Sequence, residues 1–168
     1  MVAMDTFAEE HQARLAALLA SDNPYSRGIA WVQGEYSPIR EARIPLLDQG
    51  FLHSDLTYDV PGIWDGRFFR LDDHLDRFWR SMEKARLNCP MDRQSMRDTL
   101  IDMARVSGIR DAYVMMITTR GFRFVRELTL TGQLSSAVGN VYLYIIPYVW
   151  VMPLDMQRIG GSAVVTRT

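Results

Sequence analysis

The chain has 168 residues, of which 48 % are apolar, so it can bury a core of its own and reads as a folded protein, not a disordered one. A net charge of -1 and a pI near 6.3 give no electrostatic footprint for nucleic acid or an anionic membrane, and the expected partner is a small molecule or another protein. A single cysteine, Cys89, can make neither an internal disulfide nor a thiolate cluster, which points to a reducing, cytoplasmic setting.

Residues 5–20 place Phe7, Ala8, Leu15, Leu18 and Leu19 at helical spacing, and Asp22, Asn23 and Pro24 end that peripheral helix. Its acidic residues Asp5, Glu9 and Glu10, with His11, interrupt any signal-peptide core, and no stretch approaches the roughly 18 apolar residues of a membrane span. Residues 28–32 and 35–39 flank Gln33-Gly34 as a β-hairpin, and residues 62–64 and 67–71 flank Asp65-Gly66, a stronger hairpin signal. Asp72 is expected to cap a helix over residues 73–87, with Leu75, Phe78 and Met82 inward and Pro90 beyond its end. A second helix is expected from Asp92 or Arg93 to Val106, burying Met96, Leu100, Met103 and Ala104 and stopped by Gly108. Strands follow at residues 112–119 and 141–150, separated by a polar loop over residues 120–139 that exceeds the roughly 12 to 15 residues of ordinary connections. Residues 151–158 read as a linker, and Ala163-Val164-Val165 as the opening strand of a further domain or, alternatively, as a terminal strand pairing back to the sheet. This order of elements predicts an α+β fold, a small antiparallel sheet covered on one face by two helices. The domain plan is a lead-in over residues 1–27, the small domain over 28–150, and a linker plus the start of a larger domain over 151–168.

Several side chains could carry chemistry. His53 lies close to Asp55 in a segment rich in ionisable and hydroxyl groups, yet a lone histidine without a convergent nucleophile reads as structural. Asp72-Asp73-His74 resembles a metal cluster only superficially, because adjacent helical residues point in different directions. The glycines are scattered, with no phosphate-loop or dinucleotide spacing, and Ser54 lies in no nucleophile elbow. Arg120, Arg123 and Arg126 share the long loop; such guanidinium groups either clamp a substrate carboxylate or form a solvated basic loop.

Two longer stretches are more specific. Residues 42–60, with Asp48-Gln49-Gly50 and Thr57-Tyr58-Asp59-Val60, are followed by Trp64-Asp65-Gly66-Arg67 and Leu71-Asp72-Asp73-His74-Leu75-Asp76-Arg77. Together they resemble the N-terminal signature of class IV aminotransferases, and the His53-to-Val60 version, with Ser107-Gly108 and Thr119-Arg120-Gly121 downstream, is similar to the (R)-selective amine:pyruvate transaminases.

The resemblance implies a homodimeric, two-domain enzyme with pyridoxal 5'-phosphate between its domains, moving an amino group from an amine to a keto acid. Arg77 matches the arginine that holds the cofactor phosphate. His53, Tyr58, Val60 and Tyr113 match positions that shape the substrate pocket, and Arg126 matches the arginine that pairs with the keto-acid carboxylate. The lysine that carries the cofactor belongs to the second domain of such enzymes, so Lys84, the one lysine here, is expected to be a surface residue and the chain inactive without that domain. D-amino acid transaminase, aminodeoxychorismate lyase and a non-catalytic dimerisation or binding module of the same fold are the alternatives.

Overall fold

A computed structural model describes residues 2–122, 139–152 and 154–166. Among the described residues twelve elements follow one another: α1 (Val2–Leu19), β1 (Ile29–Val32), β2 (Glu35–Pro38), α2 (Gln49–His53), β3 (Leu56–Asp59), β4 (Gly62–Trp64), β5 (Arg67–Phe69), α3 (Leu71–Ala85), α4 (Arg93–Ser107), β6 (Ala112–Thr119), β7 (Asn140–Pro147) and α5 (Leu154–Ile159). Both hairpins form where their dipeptides place them. Gln33 and Gly34 have φ of 53° and 94°, and Asp65 and Gly66 have 48° and 76°, the doubly left-handed turn that matches strand twist.

The seven strands make one antiparallel sheet in the order β2-β1-β7-β6-β4-β5, with β3 pairing the far end of β6. In the central strand β6, Ala112, Val114, Met116 and Thr118 are buried, while Tyr113, Met115 and Ile117 between them are only half-buried. Helix α3 lies against β3 and α4 lies against β1 and β7, so the covered face is the one carrying Val114 and Met116. Leu75, Phe78 and Met82 of α3 and Met96, Leu100 and Met103 of α4 close the core against it. The opposite face carries Tyr58, Tyr113, Met115, Ile117, Tyr144 and Ile146, brought side by side by register. The α+β architecture expected from element order is the one observed.

Three local expectations need correction. Asp72 is not an N-cap: α3 begins at Leu71, its cap position is Arg70 in the left-handed conformation, and Asp72 and Asp73 sit in the first turn, where negative charge suits the helix dipole. The helix also stops sooner, because left-handed Arg86 lets Leu87 N–H return to the Met82 carbonyl. Residues 161–166 form no strand and are exposed, since no described strand edge pairs with their backbone, and the linker instead contains α5. The short helix α2 was also unforeseen. It starts where the Asp48 side chain accepts from Gly50 N–H, and Asp48 is tied to β6 and β7 through bonds from Thr119, Asn140 and Tyr142. Gly50 is necessarily a glycine, since a Cβ there would stand 2.5 Å from the Thr119 methyl.

Candidate functional site

Alternation along β3 sends Tyr58 and Asp59 to opposite sides of the sheet. Tyr58 reaches the uncovered face and is 59 % exposed. Asp59 turns toward α3, where its carboxylate is only 3 % exposed. A buried carboxylate needs compensating donors, and α3 supplies them from one face one turn apart. Arg77 donates through Nε to Oδ2 at 2.7 Å and through Nη2 to Oδ1 at 2.8 Å. His74 Nδ1 lies 2.7 Å from Oδ1, so in this pair Nδ1 carries the proton, and Val60 N–H adds a 2.7 Å bond to the same oxygen. Burial alone would raise the Asp59 pKa, but the bonds from Arg77, His74 and Val60 outweigh it and hold the carboxyl below its ordinary value.

The Arg77 guanidinium is anchored along one edge only. Its side chain is 61 % exposed, and Nη1 makes no hydrogen bond among the described residues. It opens into a shallow hollow of about 390 Å³ lined by Phe69, Arg70, Asp73, His74, Asp76, Arg77 and Arg80. Within it Arg70 is engaged by Asp73 at 2.5 Å and Asp76 by Arg93 at 2.9 Å. Arg80, one turn beyond Arg77, is exposed and has no hydrogen bond among the described residues. Two cationic heads thus face the same hollow with donors to spare, a donor set suited to an oxyanion. The hydroxyl, thiol and lysine side chains that could add covalent chemistry do not line it.

The other expected site residues separate into two groups. Tyr58 and Tyr113 share the uncovered face, where Tyr113 stacks on Tyr144 with centroids 6.2 Å apart, and burial first, then Tyr58, raises the Tyr113 pKa. Val60 lies just past the end of β3, two residues after Tyr58, and is half-buried. His53 ends α2, exposed, with Nδ1 3.1 Å from Gln49 Oε1. Leu46 and Leu47, just before α2, and Phe51 and Leu52 within it are further exposed apolar side chains. Arg123 and Arg126 lie outside the described residues.

Arg120 is no substrate clamp. It donates to both Asp55 oxygens at 3.0 and 3.1 Å, to the Ala85 carbonyl at 3.0 Å and to the Arg86 carbonyl, so its fork staples the end of β6 to the end of α3. Lys84 is exposed in the last turn of α3, about two helical turns from Arg77, where a positive charge suits the helix end. Asp72, Asp73 and His74 diverge as their helical positions require, and His74 joins Asp59 instead.

Sequence reasoning missed Asp59. The usable signal is its strand position: once Tyr58 points outward, the next residue points inward, and a buried acid must find hydrogen-bond donors. Elsewhere a second hollow of about 290 Å³ lies between α1 and the α4–β6 turn, but its charged groups are already joined, Asp111 accepting from Arg14 at 2.8 and 3.0 Å with His11 Nδ1 3.2 Å away.

The family described as amino-transferase class IV matches residues 57–167, a span that takes in Tyr58, Asp59, Arg77 and Tyr113. The chain is 27 % identical over 107 residues to a D-alanine aminotransferase of Listeria monocytogenes, covering 60 % of this chain and 37 % of that one. Among solved structures it resembles a branched-chain aminotransferase from Thermoproteus uzoniensis solved with norvaline (21 % identity, TM-score 0.58, 72 % of this chain and 41 % of that one). It also resembles the branched-chain amino acid aminotransferase from Escherichia coli (14 % identity, TM-score 0.61, 73 % and 41 %). These two likenesses show the fold. The chain spans about a third of the length of the curated relatives it matches.

Proposed function

We propose, given that this chain belongs to the class IV aminotransferases, that it is the small-domain part of a transaminase moving an amino group from an (R)-amine to a keto acid such as pyruvate. Enzymes of this family depend on pyridoxal 5'-phosphate. The observation that carries the reading is the posture of Arg77, anchored along one guanidinium edge and open along the other, beside Arg80 in a hollow on the protein surface.

The donor set fits the phosphate end of the cofactor: a guanidinium presents paired N–H groups at the spacing of phosphate oxygens, and Arg80 adds charge. When bound, the cofactor supplies an electron-withdrawing ring that stabilises charge at the α-carbon of the amine. What this chain contributes is binding and orientation. Arg77 holds the phosphate. Tyr58, Val60 and Tyr113 offer an apolar, aromatic wall to the substituents of an amine, with His53 at its rim, and Arg126 takes the carboxylate of the keto acid. Exclusion of water from that wall requires a cover, and we assign that cover, and burial of the exposed Leu46, Leu47, Phe51 and Leu52, to the larger domain and to a second copy of the chain. The covalent lysine is assigned to the larger domain, because Lys84 is exposed and stands about two helical turns along α3 from Arg77. No helix among the described residues is long and apolar enough to cross a membrane, and a cytoplasmic enzyme is our reading.

A second reading, D-amino acid transamination, is favoured by the similarity to D-alanine aminotransferase. The two are separated by assaying the chain together with a large-domain polypeptide and cofactor. (R)-1-phenylethylamine with pyruvate should give acetophenone and alanine; turnover of D-alanine with 2-oxoglutarate but not of the amine would establish the second reading. Turnover by the isolated chain would refute the assignment of the lysine, and failure of every pair with no cofactor uptake would leave a binding module of the same fold.

A further inference from the structure

We infer that Asp59 is a positioning residue, fixing the plane of the Arg77 guanidinium so that its outer edge meets a phosphate, and coupling that grip to the backbone of the substrate wall at Val60. The inference rests on the reading of Arg77 as the phosphate-binding residue. A guanidinium has two edges that can make paired hydrogen bonds, Nε with Nη2 and Nη1 with Nη2. Asp59 takes the first edge, at 2.7 and 2.8 Å. The second edge is coplanar with the first and must then point away from the carboxylate, toward the hollow that Arg77 shares with Arg80. A long side chain on an exposed helix face would otherwise distribute over many rotamers, so a carboxylate behind it removes freedom that anion binding would have to remove.

The carboxylate is itself held rigidly. It lies on β3, which is hydrogen-bonded to β6 from Leu56↔Thr119 to Asp59↔Met116, and only 3 % of it is exposed. His74 Nδ1–H engages Oδ1 at 2.7 Å, so the 3.2 Å approach of Arg77 Nη2 to the same nitrogen is a packing contact, not a second hydrogen bond. Val60 N–H closes on Oδ1 at 2.7 Å. One carboxyl group therefore ties a residue of the phosphate grip on α3 to the strand carrying Tyr58 and to Val60 just past its end. A shift of the grip is felt at the wall.

The test compares Asp59→Asn with the parent chain, using pyridoxal 5'-phosphate and pyridoxal as probes and arginine-labelled NMR as an independent readout. In the parent, the Arg77 Nε–H signal should be resolved and slow to exchange with water, and the phosphorylated probe should bind more tightly than the unphosphorylated one. In Asp59→Asn that signal should merge with the exchanging surface arginines. Its preference for the phosphorylated probe should fall about tenfold, with pyridoxal binding unchanged, as expected for loss of one oriented charge-assisted contact. Should the variant not fold, Arg77→Lys serves, since one ammonium keeps the charge but cannot span both partners; the same loss of preference is expected. Either variant binding with the parent's preference, or an unchanged Arg77 signal in Asp59→Asn, overturns the positioning role. No preference in the parent overturns the reading of Arg77 first, and the role of Asp59 with it.

Discussion

Two buried aspartates anchor the β3–β6 part of the sheet, Asp48 through Thr119 and Asp59 from β3 itself, and they differ in what their donors do next. Asp48 accepts from Gly50 N–H, Thr119 Oγ1, Asn140 Nδ2 and Tyr142 Oη at 2.6 to 2.9 Å, all of them neutral groups. Asp59 accepts from Arg77 and His74 of α3, and the Arg77 side chain extends past it with 61 % of its surface open. Both carboxyls resist protonation, burial pushing each pKa up and the hydrogen bonds pulling it down further. The lesson is that burial and a shifted pKa do not mark a functional acid; a donor with capacity left over does.

The largest effect on stability should come from Asp48→Ala, which leaves four donors of the loop stem facing a void. A loss of about 3 kcal/mol is expected in urea unfolding, and a loss below a third of that would reduce Asp48 to an incidental contact. Arg120→Ala should follow, at about 2 kcal/mol for a part-buried, forked contact. Its preference for phosphorylated over unphosphorylated probe should stay at the parent's level, since Arg120 is bonded to Asp55 and to the end of α3. If that preference fell, the boundary drawn between staple and site would be misplaced.

A pH series sharpens the likeness between the two aspartates. Asp48, Asp59 and Asp111 all have folded pKa values below the ordinary 3.8, so the unfolded chain takes up protons first as pH falls. Their contribution to stability is complete above that value and is lost as pH descends through the folded values. Urea midpoints should be level from neutrality to about pH 5 and fall below about pH 4; a midpoint rising on acidification would reverse the sign and contradict the pairing. The smallest effect belongs to Lys84→Gln, within about 0.5 kcal/mol of the parent and without change in probe binding. A substantial loss of cofactor uptake in that variant would place Lys84 in the site.

How much could be read in advance follows the range of the forces. Gln33-Gly34 and Asp65-Gly66 announce their hairpins because a turn is settled by its own dihedral angles. The spacing of Leu75, Phe78 and Met82, and of Met96, Leu100 and Met103, announces the covering helices because periodicity is local. Helix α2 was not legible: five residues are too few to show a period, and Asp48, which starts it, draws its partners from Thr119, Asn140 and Tyr142 far along the chain. Asp72 looked like a cap because its residue type suits one, but the left-handed turn at Arg70 started the helix earlier. For the site, resemblance singled out Arg77, Tyr58 and Tyr113, and strand register gathers the two tyrosines on one face. The partner of Arg77 stayed hidden because Asp59 lies eighteen positions away, on another element.

In the proposed function the outer edge of Arg77 is a phosphate-binding surface. The most direct measurement is titration of the parent chain and Arg77→Ala with pyridoxal 5'-phosphate and with pyridoxal, followed by tryptophan fluorescence. The parent should prefer the phosphorylated compound, and Arg77→Ala should bind the two alike. Equal preference in parent and variant would contradict that reading of Arg77.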